Sequence, residues 1–319
     1  MKKRFAFGFL PISLTLLVTP VAADDPKPIK VPGDTAFTES ITAGPDGSLY
    51  VSSFADGGVQ RVKPGAAAAE PFIEPAAFGS RSTFGLYADA KSNTLWVCSN
   101  DVTGFGVPGP GKAEGSHLLA FDLKSGEGKS DHKFPSAPSL CNDMTVADDG
   151  NVYVTDSLAP RILKISPGAK ELDVFLEDKR FQPPNGAGLD GIAFGADGNM
   201  YVNTFHGGEL FRIDVKDGKA GAITKLATSR PISLPDGLRH VTGLTFLMVE
   251  GTDKLDRVTI DGDKAKIDTL KDGLKEPTAV VQVGTTAWVA EGQLSHLLDA
   301  KKKGPPALPF ELIAVPVGE

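Results

Sequence analysis

One segment type recurs along this chain, and it constrains the fold more than anything else in the sequence. It is a short apolar strand, a turn built on Asp-Gly or Asp-Gly-Asn, and a second strand carrying an aromatic residue. Ser40–Val51, Asp143–Val154 and Gly191–Val202 are the clearest copies, with turns at Asp46-Gly47, Asp149-Gly150 and Asp197-Gly198. Alternating apolar residues around such a turn read as a β-hairpin. Weaker copies fill the gaps: Leu86–Val97, Gly237–Val249 and Pro277–Val289. A third strand follows each hairpin, at Val59–Val62, His117–Phe121, Arg161–Ile165, Glu209–Ile213, Leu255–Ile260 and Ser295–Leu298, and a further turn leads to a fourth. A self-similar unit of this kind, repeated six times, predicts an all-β, six-bladed β-propeller of four-stranded antiparallel blades. Two separate sandwiches would not repeat one motif at even spacing. Gly and Pro make up 60 of the 319 residues, as many short strands and turns require. Pro309–Val315 is a candidate outer strand for the last blade, and which segment closes the ring stays open.

The first 23 residues stand outside this pattern. Lys2, Lys3 and Arg4 precede an apolar run from Phe5 to Val18, and Val21-Ala22-Ala23 fits the small-residue rule for cleavage. The reading is a secretory leader over 1–23 and a single propeller domain over 24–319. Losing the leader's three positive charges takes the formal charge from −7 to −10. An acidic chain without basic clusters is not expected to bind nucleic acid. With no other segment able to cross a bilayer, the mature protein is expected to be an exported monomer, periplasmic or extracellular, that acts on a small molecule without a membrane. Export permits a disulfide between Cys98 and Cys141, which are expected to lie close together; a bond or two buried thiols both stay open.

Aligning the blades on their turns places one position just before each inner strand. It holds Glu39, Gly85, Asn142, Asp190, Asp236 and Glu276. The spacing to the aromatic position is 11 residues in five blades and 12 in the last. Inner strands line a propeller's channel, so these positions form a ring at one opening. Converging carboxylates repel unless a cation neutralises them, and oxygen-only ligands favour a hard ion. One divalent cation is expected, Ca2+ first, with Mg2+ or Mn2+ as alternatives. Ser53, Ser99, Asp156, Thr204, Glu250 and Glu291 form a second polar set, in which Asp156 and Glu250 are candidate supports or ligands. The Gly/Pro-rich stretch from Asn100 to Ser116 is a candidate lid. His206 and His240 are read as near the same opening and as substrate-binding candidates, either able to shuttle a proton.

Glu39, Asn142-Asp143, Asp190-Gly191-Ile192 and Pro235-Asp236-Gly237, in that order around the blades, resemble the gluconolactonase/regucalcin-like family of six-bladed propellers. The resemblance spans nearly the whole mature chain. It implies Glu39, Asp190 and Asp236 as metal ligands, Asn142 as a substrate or metal contact, and Asp236 as the general base of a metal-dependent lactone or ester hydrolase. The chain departs from that pattern in three places. Asp190 replaces an Asn, Leu140 stands where an Arg is common, and Glu276 adds a carboxylate. The third strands look equally like NHL repeats, which implies the alternative of a non-catalytic binding propeller with a structural metal. A third alternative, a lyase that opens cyclic esters, would want His206 and His240 as a pair beside the ion.

Overall fold

The computed structural model describes residues 1–3 and 27–318, so the expected leader and its cleavage point fall outside the described residues except for the first three. Strand after strand, the chain builds six antiparallel sheets around a central axis. Blade one consists of Thr38–Ala43, Leu49–Ser53, Val59–Val62 and Glu70–Ile73; blade two of Ser82–Asp89, Thr94–Asn100, Ser116–Asp122 and Gly128–Lys133. Blade three follows with Cys141–Val146, Val152–Asp156, Arg161–Ile165 and Asp173–Glu177, and blade four with Leu189–Phe194, Met200–Thr204, Glu209–Lys216 and Lys219–Lys225. Blade five runs Pro235–Thr242, Thr245–Glu250, Lys254–Asp261 and Lys264–Lys271, with the two-residue strand Ala227–Thr228 added in parallel at its edge.

Blade six closes the ring and corrects the sequence reading. Its inner strands are Pro277–Val283 and Thr286–Glu291. Ser295–Leu298, expected as its third strand, is one turn of helix. Phe310–Pro316 takes that place, and the outermost strand is the N-terminal Ile29–Val31, paired Ile29↔Leu312 and Val31↔Phe310. No local pattern signals a pairing between residues so far apart.

The second-strand aromatics weld neighbouring blades. The Tyr201 ring lies 4.9 Å from Phe246 and that of Tyr153 lies 5.4 Å from Phe194, tilted or edge-on as ring quadrupoles favour. The Tyr50 hydroxyl donates to the Leu123 carbonyl of blade two at 3.1 Å. Among the described residues no helix is long and apolar enough to cross a membrane.

Candidate functional site

All six inner strands break register at the same place. The shifts lie between Thr38 and Ile41, Thr83 and Leu86, Cys141 and Met144, Leu189 and Ile192, Pro235 and Leu238, and Pro277 and Ala279. A bulge re-aims side chains and leaves backbone groups without their ladder partner. Here three second-strand side chains supply it. The N–H groups of Ser40, Asp143 and Gly191 donate to Ser52 Oγ, Thr155 Oγ1 and Asn203 Oδ1 at 2.8, 3.0 and 2.9 Å. Thr155 Oγ1 and Asn203 Nδ2 also donate to the carbonyls of Asp190 and Asp236 in the next blade. The bulges are thereby locked to one another.

Small residues let the bulged strands meet at the axis. A Cβ on Gly85 would stand 2.1 Å from the Asn142 carbonyl oxygen, and one on Gly191 2.6 Å from that of Asp236.

Glu39, Asn142, Asp190 and Asp236 do converge. With Asp143 and Arg239 they line a chamber of about 10 Å³ on the axis, roughly the space of a single water-sized body. Glu39, Asn142, Asp143 and Asp190 are buried and Asp236 is half-buried. Asn142 Nδ2 donates to Asp190 Oδ2 and to Ser157 Oγ, both at 2.8 Å, which leaves its carbonyl oxygen free to serve the chamber. The second oxygen of Asp190 is buried without a hydrogen-bond partner.

Burial pushes the Glu39, Asp190 and Asp236 carboxyls well above the usual carboxylate range, and the negative charge of neighbouring carboxylates pushes each of them further. Asp190 and Asp236 lie within hydrogen-bond reach of each other. The set is oxygen-only and under-neutralised, with one orphaned acceptor, and this chemistry suits a hard cation. Among the described residues, however, no three Asp, Glu, His or Cys side chains stand at coordination spacing.

The ring differs from its sequence reading in two blades. By register, the positions matching Glu39 are Phe84 in blade two and Thr278 in blade six. Phe84 packs on Phe54, with ring centroids 4.9 Å apart, while Gly85 and Thr278 line the chamber. Glu276 is not in the ring. It sits just outside its strand and accepts from the Ser295 N–H and hydroxyl and from Lys302. The second polar set does not reach the chamber either. Asp156 pairs with Arg161 and takes the Leu140 N–H, Glu250 pairs with Arg230, and Glu291 takes the Lys275 N–H. These groups anchor the connections between blades. The Asn100–Ser116 stretch is pinned by Arg81, which bonds the Pro108 and Ala113 carbonyls and pairs with Asp101.

The two histidines occupy opposite ends. His206 follows the second strand of blade four on the side where the inner strands start, and its Nδ1 accepts from the Ala187 N–H. His240 lies far along its inner strand and lines a vestibule of about 520 Å³ at the other mouth, with Nε2 3.0 Å from the Gly243 carbonyl.

Two residues to which the sequence reading gave no site role separate chamber from vestibule. Arg239, from blade five, crosses the channel to Asp143 of blade three with N–O distances of 2.5 and 2.9 Å. It borders both spaces. Each is the odd residue in its aligned column. Asp143 stands among Ser40, Gly85, Gly191, Gly237 and Ala279, and Arg239 among Thr42, Tyr87, Thr145, Ala193 and Val281. Opposite charges interrupting two otherwise uncharged columns were the available signal.

No family model matches the chain. It is 33% identical over 122 residues to core trichothecene cluster protein 14 of Fusarium sporotrichioides, a match covering 38% of this chain and 31% of that protein. Among solved structures, the allergen Mala s 1 of Malassezia sympodialis superposes with a TM-score of 0.70 at 16% identity, over 91% of this chain and 96% of that one. A proposed gluconolactonase does so with a TM-score of 0.64 at 14% identity, over 84% and 89%. The chain is a six-bladed β-propeller that shares its fold with both.

Proposed function

We propose that the protein is an exported hydrolase of lactones or related esters that depends on one divalent cation, Ca2+ before Mg2+ or Mn2+, and works as a monomer. The observation that carries this reading is the chamber: the carboxyls of Glu39, Asp190 and the half-buried Asp236 line it with the Asn142 amide, and an acceptor of Asp190 is left unpaired. Glu39, Asp190 and Asp236 would hold the ion, with the Asn142 oxygen beside them. A bound divalent cation supplies positive charge that keeps these carboxyls ionised and Lewis-acid polarisation of a carbonyl.

Asp236 is the residue placed to handle the proton. It is the least buried of the ring carboxyls and has Asp190 within hydrogen-bond reach to orient it. It would take a proton from water as the water oxygen bonds to the ester carbonyl carbon; the carbon–oxygen ester bond then breaks and the leaving oxygen takes up the proton. The separation of His206 from His240 removes the basis for a lyase built on that pair.

The test is a lactone and ester panel on metal-stripped protein to which Ca2+, Mg2+ or Mn2+ is restored. Turnover of at least one lactone only with metal is expected. Metal binding without turnover of any member would point to the non-catalytic propeller, with the ion structural. Export is tested separately: Edman sequencing of protein recovered outside the cytoplasm is expected to begin at Asp24, and an intact Met1 would overturn it.

A further inference from the structure

The chamber is lined by four carboxyl side chains, Glu39, Asp143, Asp190 and Asp236, and Arg239 brings the one positive charge among its described lining residues. We infer that the Arg239–Asp143 pair sets the chamber's affinity for divalent cations: Arg239 restrains it, and Asp143 is held as the guanidinium's partner instead of as a ligand. The inference rests on reading the chamber as a cation site.

Three observations lead there. The contact is a two-pronged one, Arg239 Nη1 to Asp143 Oδ2 and Nη2 to Oδ1, so both carboxylate oxygens are taken. The Asp143 side chain is 5% exposed and that of Arg239 12%, so solvent does little to screen either charge from an ion a few ångströms away. A further Arg239 N–H donates to the Leu238 carbonyl at 3.0 Å, which fixes the guanidinium across the channel between chamber and vestibule. The two charges cancel as a pair, whereas losing either one leaves the chamber a full charge more negative or more positive.

That gives a sign pattern which a purely structural role does not produce. Calcium binding is measured by titration calorimetry on chelator-treated protein: wild type, Arg239→Gln, Asp143→Asn and the double variant. Arg239→Gln is expected to bind Ca2+ about tenfold tighter or more, and Asp143→Asn about tenfold weaker or more. The double variant should return to within about threefold of wild type, because the pair is again neutral. If Arg239→Gln does not fold, the step from Asp143→Asn to the double variant removes the same positive charge and should show the same gain.

Equal weakening in both single variants would overturn the inference, making the pair a strut and leaving the cation reading intact. Calcium binding by Arg239→Gln but not by wild type would uphold the inference and overturn the native ion site. No binding by any form would overturn both.

Discussion

Asp236→Asn should keep the fold and lose hydrolysis by on the order of 10²-fold or more, the scale on which a positioned general base contributes. The amide has the shape of the carboxyl and retains an oxygen for the ion, so any fall in metal affinity should be smaller than the fall in turnover. Asp236 opens the inner strand of blade five, and its backbone carbonyl is held by Asn203 of blade four, so the substitution leaves its anchoring in place. Rates on the best lactone of the panel, measured at saturating metal, decide the matter. A variant as active as wild type would move the base elsewhere, and His240 would not inherit the role, because it lines the opposite mouth.

Removing the Cys98–Cys141 disulfide should produce the largest loss of stability from a change outside the chamber. The bond is formed, with Cα atoms 5.2 Å apart and the partners 43 positions apart in sequence. Closing a loop of that length restricts the unfolded chain by about 4 kcal/mol in the chain-entropy account. Its position adds a second consequence. Cys98 occupies the second-strand column in which Ser52, Thr155 and Asn203 satisfy the bulges by hydrogen bonding. Blade two uses a covalent link to blade three instead, beside Asn142, and Asn100 braces it by bonding both the N–H and the carbonyl of Cys141. The variant Cys98→Ser/Cys141→Ser should therefore melt about 5 to 10 °C lower. Calorimetric scans of oxidised wild type and the double variant measure it; superimposable transitions would show that the link contributes nothing.

The repeats made the fold legible because each hairpin is specified locally. Alternation, an Asp-Gly turn and an aromatic all lie within a dozen residues. The third strands Val59–Val62 and Arg161–Ile165 were readable to the residue for the same reason. Counting from the aromatic gave the ring correctly wherever the hairpin has its common length, with paired positions such as Thr42 and Tyr50 eight apart in number. It failed where the length changes: Tyr87 and Trp96 are nine apart in number, and Val281 and Trp288 seven. Gly85 was one residue off for that reason; Glu276 was two off, because a spacing of 12 was read in the last blade where the shorter hairpin leaves 10. The closing blade and the Arg239–Asp143 bridge depend on residues distant in sequence, and such partners leave no mark on local periodicity.

Because the last sheet pairs Ile29–Val31 with Phe310–Leu312, its register cannot be established until those late residues have been made. Ile29 must wait for Leu312, 283 residues later. At ribosomal speeds of about 5 to 20 residues per second, that interval is roughly 15 to 60 s. Throughout it the first-made strand can be held on one edge only, by the short parallel bridge of Lys30 to Ala68, while its other edge lacks Phe310–Leu312 and blades one to five form an open arc. The interval sets how long a chaperone or a protease has to act on each newly made molecule.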